Sequence, residues 1–356
     1  MNNYFGIIDR YRNYLPVTDQ TPEITLKEGN TPLLLAQNLS QAIGGEAYEI
    51  YLKFEGLNPT GSFKDRGMTV AVSKAVEEGA KMIMCASTGN TSAAAAAYAA
   101  SAKIECTVLI PAGHIAMGKL SQALMHGAKV IAIEGNFDDA LNLVKEATSQ
   151  LPITLVNSLN PYRIEGQKTA AFEIVDELGE SPDFQFMPVG NAGNITAYWK
   201  GYKEYCDRGK CINLPKMMGF QAQGAAPIVQ NKIIKEPETI ATAIRIGNPA
   251  SWKQAIEARD QSAGVIDSVT DTEILEAYKM LAQLEGIFCE PASAAGVAGL
   301  IKYLRAGKME KRIAKLRIVC ILTGHGLKDP QCALQQISQP IQISPSLTNL
   351  KKALGF

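Results

Sequence analysis

From Tyr48 onward, short apolar runs alternate with longer stretches in which apolar residues recur every three or four positions. Tyr48–Phe54 reads as a strand, and Met68, Val72, Ala75 and Val76 mark one face of a helix that Gly79 ends. Strands are predicted over 82–86, 106–110, 129–133 and 153–156, with helices over 91–101, 117–125 and 137–149 between them. Helix 165–178, strand 184–189, helix 194–207 and strand 217–221 continue the pattern. A less regular region over 225–264 follows, then strand 265–269 and a helix opened by a Thr270/Glu273 capping box. Helix 292–305 and strand 318–322 close the series, and Pro340 and Pro345 mark a packed or wrapping tail. Short β-branched strands alternating with helices predict an α/β fold of βαβ units with parallel strands. Ligands of such sheets gather beyond the carboxyl ends of the strands, so the loops directly after strands are where chemistry should sit.

The turn Asn58-Pro59-Thr60-Gly61-Ser62-Phe63-Lys64-Asp65-Arg66-Gly67 organises the rest. Pro59 and Gly61 force the turn, and Ser62 with Asp65 has capping-box spacing. Lys64 then falls in the first turn of a helix, whose positive end disfavours an ammonium. A lysine so placed is tuned toward the neutral amine that Schiff-base chemistry with an aldehyde needs, although most lysines are solvated surface charges. Gly56 and Gly61-Ser62 half-mimic a nucleotide P-loop, but Lys64 does not follow the second glycine directly, which excludes that reading.

Three further loops follow strands: Ser87-Thr88-Gly89-Asn90-Thr91-Ser92, Gly190-Asn191-Ala192-Gly193-Asn194 and Thr323-Gly324-His325-Gly326. Gly190 and Gly193 let backbone N–H groups converge at a helix start, an anion cradle suited to phosphate. The same five residues lack the dinucleotide fingerprint, and a ligand-free strand–helix turn stays open as an alternative. Ser87, Thr88 and Thr91 offer hydroxyls suited to a carboxylate, with simple N-capping as the alternative.

The composition is that of a globular domain: 46% hydrophobic and 20% charged over 356 residues, with net charge zero and no basic run for nucleic acid or an anionic membrane. No stretch is long and apolar enough for a membrane helix, and Met1–Pro16 lacks the core of a signal peptide. Seven cysteines without a CxxC, Cys206 and Cys211 included, predict reduced thiols in a cytoplasmic protein, and no metal site is expected. Three dispersed histidines leave the chemistry to other groups.

Together the lysine, phosphate cradle, carboxylate-sized loop and hydroxyl at a strand end describe a pyridoxal phosphate site. Ser62–Arg66, Ser87–Ser92 and Gly190–Asn194 resemble the motifs of the threonine synthases, within the tryptophan-synthase-β-like (fold type II) family. Glu28-Gly29-Asn30-Thr31-Pro32 and Asn157-Ser158-Leu159-Asn160-Pro161-Tyr162-Arg163 add to the likeness, which runs from about 20 to 330. Gly-Asn-Ala-Gly-Asn discriminates within the family, where dehydratases and cysteine synthases carry a run of glycines. No long N-terminal extension of the plant, S-adenosylmethionine-activated kind is present, so that regulation is not expected.

The resemblance implies two open, twisted, mostly parallel sheets flanked by helices, with the cofactor in the cleft between a smaller unit over 53–156 and a larger one over 1–52 and 157–356. It implies that Lys64 forms the Schiff base and shuttles protons, that Asn90 bonds the cofactor's phenolic oxygen, and that Gly190, Asn191, Ala192, Gly193 and Asn194 hold its phosphate. Thr323 then faces the pyridine nitrogen, a neutral hydroxyl that leaves this nitrogen largely unprotonated. Ser87, Thr88 and Thr91 are implied for the substrate carboxylate. The implied substrate is O-phospho-L-homoserine, with Lys53, Asn157 and Arg163 as candidates for its distal phosphate, a surface or ion-paired role being the alternative for the two cations. The implied chemistry is α-proton removal, γ-elimination of phosphate and addition of water at Cβ, giving L-threonine in a site that closes on its substrate. A dehydratase-like β-elimination on the same fold is the nearest rival, and a non-catalytic binding paralogue a remoter one. A homodimer is expected from the same resemblance.

Overall fold

The computed structural model describes residues 4–112, 117–310, 313–337 and 340–356. Strands β1 (Leu33–Leu35), β2 (Tyr48–Phe54), β3 (Met82–Ala86), β4 (Glu105–Pro111), β5 (Lys129–Ile133), β6 (Thr154–Leu155), β7 (Phe184–Pro188), β8 (Lys216–Ala222), β9 (Val265–Val269) and β10 (Leu316–Leu322) form two sheets. One has the order β1-β2-β10-β7-β8-β9 and the other β5-β4-β3-β6, and every pairing except β1 with β2 is parallel. β2 stays in the larger sheet to its last residue: Lys53 and Phe54, expected in the smaller unit, pair with Ile321 and Leu322.

Helices cover both faces of each sheet, which is why the central strands are apolar on both sides. Along β10, Cys320 and Leu322 enter one core with Phe186 and Phe220, while Val319 and Ile321 enter the opposite one with Met187 and Tyr198. The smaller sheet buries Ile83, Cys85 and Val108 against the alanine-rich helix Asn90–Ala102. No helix among the described residues is long and apolar enough to cross a membrane.

Four differences from the sequence reading have local causes. Ser62 and Asp65 do not form a capping box: Phe63 occupies the N-cap of helix Lys64–Glu77, and the Asp65 carboxylate takes the N–H and hydroxyl of Thr60 instead. The helix expected over 165–178 is two, Pro161–Gln167 and Thr169–Leu178, parted at Lys168. Cys206 and Cys211, expected as thiols, are joined in a disulfide, because the turn through Gly209 (φ 72°) folds the chain back at the end of helix Gly193–Asp207. The other five cysteines are free and buried. The tail expected from Pro330 onward packs only at its start, where Cys332 is buried; helix Leu347–Leu354 has no buried residue, nor does the rest of 340–356.

Two contacts position the Lys64 helix. It crosses helix Pro161–Gln167 at Gly67 and Gly166, where a Cβ at 166 would sit 1.8 Å from the Arg66 carbonyl oxygen and one at 67 would sit 2.7 Å from that of Arg163. Backbones meet there because neither residue has a side chain. The second contact is ionic. Arg66, fully buried, grips Glu55 with Nε and Nη2 (2.7 and 2.8 Å) and Glu173 with Nη1 and Nη2 (2.8 and 2.6 Å). Lys53 donates to Glu173 (2.8 Å) and to the Thr31 carbonyl (2.6 Å), and Thr31 Oγ1 donates to Glu55. Two cations and two carboxylates thus balance inside the protein and tie the start of the Lys64 helix to β2 and to helix Thr169–Leu178.

Removing one partner of a buried pair leaves a charge uncompensated, so Glu173→Gln should cost about 3–5 kcal/mol in equilibrium urea unfolding. Arg66 and Lys53 hold the Glu173 carboxyl well below its ordinary range against the opposing effect of burial. Its stabilisation is therefore complete above the ordinary carboxylate range and is lost as pH falls through and below it. Glu173→Gln should flatten that acid limb, and an unchanged limb would count against the network.

Candidate active site

The Lys64 turn is stitched to the loop after β10. Phe63 N–H donates to the Thr323 carbonyl (3.0 Å), His325 N–H to the Gly61 carbonyl (2.9 Å), and Ser62 bridges Gly324. Gly61 has φ 86°, the left-handed backbone this turn requires. The loops after β3, β7 and β10 lie at carboxyl ends of parallel strands, and Lys64, Asn90, Thr323 and Arg163 come together there through the contacts that follow.

Lys64 is half-buried, with Nζ 4.0 Å from the Phe63 ring centre. Burial lowers its ammonium to about 7, the Arg163 charge pushes the same way, and Glu290 opposes them. Arg163 is 1% exposed. Its Nη1 donates to the Val156 carbonyl (2.9 Å), its Nε has no partner, and it makes no ion pair with a carboxylate among the described residues. Burial lowers even this guanidinium to about 10. A buried cation without a counter-ion is costly, and this one stands close enough to Lys64 to disfavour a second charge there.

Asn90 opens helix Asn90–Ala102, which has no side-chain cap, so the hydroxyls of Ser87, Thr88 and Thr91 are not spent as caps. All three are half-buried, and Ser87 Oγ accepts the Gly89 N–H. Asn90 Nδ2 and Thr323 Oγ1 both reach Glu290, at 3.0 and 3.2 Å.

Ala192 is left-handed (φ 64°), and helix Gly193–Asp207 begins without a side-chain cap, leaving its first N–H groups for a ligand. The region 225–264, expected to be irregular, carries helix Trp252–Gln261 and buttresses this cradle: a Cβ at Gly190 would meet Ile244, Asn191 Oδ1 accepts the Ala250 N–H (2.7 Å), and Ser251 N–H donates to the Asn191 carbonyl (3.2 Å). Asn191 Nδ2 also reaches Ser158 Oγ (3.0 Å), and Asn194 Nδ2 reaches Gln167 Oε1 (3.2 Å).

Two of the residues expected from the sequence to clamp a phosphate are occupied elsewhere. Lys53 is buried and locked in the Glu173 pair, so its ammonium is not available to a substrate phosphate. The Asn157 side chain makes both its hydrogen bonds to the Ala86 backbone, fixing the end of β3 instead of facing a ligand. Glu290, by contrast, belongs to the site and escapes a reading of the sequence. Its one signal there is an acid set in the apolar and small run Ile287–Ala295.

An aldehyde-reactive lysine beside unpaired buried cationic charge and an uncapped helix start is a site for an anionic carbonyl cofactor, and the residues present fit pyridoxal phosphate. The pyridoxal-phosphate dependent enzymes match residues 24–324, and the chain belongs to that family. It is 58% identical to the threonine synthase of Synechocystis sp. over 353 residues (99% of this chain, 91% of that one). It is 59% identical to that of Halalkalibacterium halodurans over 346 residues (97% and 96%). Among solved structures, maize serine racemase superposes with a TM-score of 0.74 at 21% identity, covering 94% of this chain and 97% of that one, a likeness of fold alone.

With the cofactor removed, Lys64 should lose its proton near pH 7, far below an ordinary lysine. Labelling by an amine-selective reagent, followed by peptide mapping, should reach half its maximum there. Labelling confined to pH 9 and above would contradict the site.

Proposed function

We propose that the chain is a threonine synthase, converting O-phospho-L-homoserine and water to L-threonine and phosphate. The observation that carries this reading is Arg163, a buried guanidinium that lacks an anion beside the cofactor lysine. Relatives more than 50% identical over nearly their whole length carry that activity in their names.

Pyridoxal phosphate, bound covalently through Lys64, supplies an electron sink for the charge that develops at carbon. The cradle Gly190–Asn194 would hold the cofactor phosphate on backbone N–H groups, Asn90 would bond its phenolic oxygen and Thr323 would meet its pyridine nitrogen. Lys64, neutral above about pH 7, accepts the α-proton and returns protons later. Ser87, Thr88 and Thr91 take the substrate carboxylate. Arg163 takes the distal phosphate, placing the bond to be broken and neutralising the leaving group. Lys53 and Asn157 drop out of that clamp. A smaller unit over 53–156, less Lys53 and Phe54, which stay in the larger sheet, and a larger one over 1–52 and 157–356 enclose the substrate from two sides. On this reading the enzyme is a cytoplasmic homodimer, supported by the family likeness. Sedimentation tests the dimer.

Borohydride reduction should fix the coenzyme on the Lys64 peptide, and Lys64→Ala should abolish both that label and turnover. Purified enzyme should release phosphate from O-phospho-L-homoserine and form no keto acid from threonine; the reverse pattern favours a dehydratase. Arg163→Leu should keep the coenzyme and lower kcat/KM for O-phospho-L-homoserine by about 10²-fold, the loss of one charged phosphate contact. A wild-type value would remove Arg163 from the clamp.

A further inference from the structure

Between helices Asp271–Glu285 and Ala294–Arg305 the chain passes through Cys289-Glu290-Pro291. Glu290 is 4% exposed, and its backbone is fixed by its own N–H to the Gly324 carbonyl and by Ser293 N–H to its carbonyl, both 2.9 Å. The carboxylate receives Asn90 Nδ2 (3.0 Å to Oε2, 3.3 Å to Oε1) and Thr323 Oγ1 (3.2 Å). A Cβ at residue 324 would lie 2.5 Å from Oε1, so Gly324 is what leaves room for it. Charged groups face it from two elements, Lys64 and Lys328, whose amine also donates to the Thr60 carbonyl and Gln122; Arg163 faces Lys64 from the helix crossing. Burial raises the carboxyl, and the hydrogen bonds and both lysines act against it.

We propose that Glu290 is a positioning residue of the site: its carboxylate takes the protons of the Asn90 amide and the Thr323 hydroxyl, aims both groups at the cofactor, and holds a negative charge against Lys64. The inference rests on the cofactor reading above. Burial raises the Glu290 carboxyl, while Lys328 and Lys64 favour its ionised form; in that form it only accepts, which fixes the direction of both bonds. Ser293 Oγ accepts the Gly324 N–H (3.0 Å), donates to the Gly324 carbonyl (3.3 Å) and lies 3.0 Å from Thr323 Oγ1.

The test is Lys64 labelling against pH in cofactor-free protein, with pH-dependent absorbance of the loaded enzyme as a second readout. Losing the nearby negative charge should move the E290Q midpoint acidward by roughly half to one pH unit. E290D, which keeps the charge, should stay within a few tenths of wild type. G324A, whose methyl displaces the carboxylate without removing it, should shift in the same direction as E290Q and serves where E290Q does not fold. A merely structural role would weaken folding or coenzyme retention in all three and leave the midpoint alone. The proposal is overturned when folded E290Q or G324A labels with the wild-type midpoint and its absorbance titrates as wild type. Failure of the wild-type enzyme to release phosphate from O-phospho-L-homoserine would tell against the proposed reaction and leave the labelling result standing.

Discussion

The buried quartet of Arg66, Lys53, Glu55 and Glu173 is the constraint on which the site depends. Arg66 stands two residues after Lys64, in the first turn of the same helix, so whatever holds its guanidinium also sets where the lysine projects. Its carboxylate partners belong to the larger part of the fold: Glu55 directly follows β2, and Glu173 is in helix Thr169–Leu178. Such an arrangement adds little net stability over an apolar packing of equal volume, since desolvation offsets most of the attraction. What it does provide is direction, because a bidentate guanidinium accepts its carboxylates in one geometry. The glycine crossing at 67 and 166 completes the constraint and carries Arg163 to the flank of Lys64.

Charge is balanced in that quartet and unbalanced a few residues away. Lys64 and Arg163 are both lowered by burial, and Glu290 is the carboxylate that opposes this at Lys64. The contrast separates a structural cluster from a functional one more cleanly than burial does, since both are buried. In the first, every donor has an acceptor inside the protein. In the second, Arg163 Nε and the first N–H groups of two helices have none among the described side chains, which suits the anionic ligands proposed for them.

The parts of this that are legible in the sequence are those set by neighbours in the chain. Strand periods, the Pro59–Gly61 turn and the polar loops after β3, β7 and β10 depend on a few consecutive residues, and they fall where the pattern puts them. Lys53 is misread and Glu290 escapes because their meaning depends on residues far away. Lys53 meets Glu173, 120 positions on, and Glu290 meets Asn90, 200 positions back. Local pattern gives no account of such pairs. Cys206 and Cys211 are the converse case: the turn that joins them is local, with Gly209 inside it, but counting cysteines for metal spacing hides it.

The stretch 225–264, whose helix Trp252–Gln261 the sequence pattern does not mark, shows how a segment hard to read still has a definite task. A phosphate cradle built on backbone N–H groups needs those groups aimed before the ligand arrives, and the loop Gly190–Asn194 cannot do this alone. Ala250 and Ser251 grip Asn191 from one side, and Ile244 fills the space a side chain at 190 would need. These contacts are made by backbone groups and a few small residues, without the repeating apolar face that periodicity detects. Their cost in ordering is met in the folded protein, so the ligand meets a cradle already formed, and binding energy is left for the substrate end of the site.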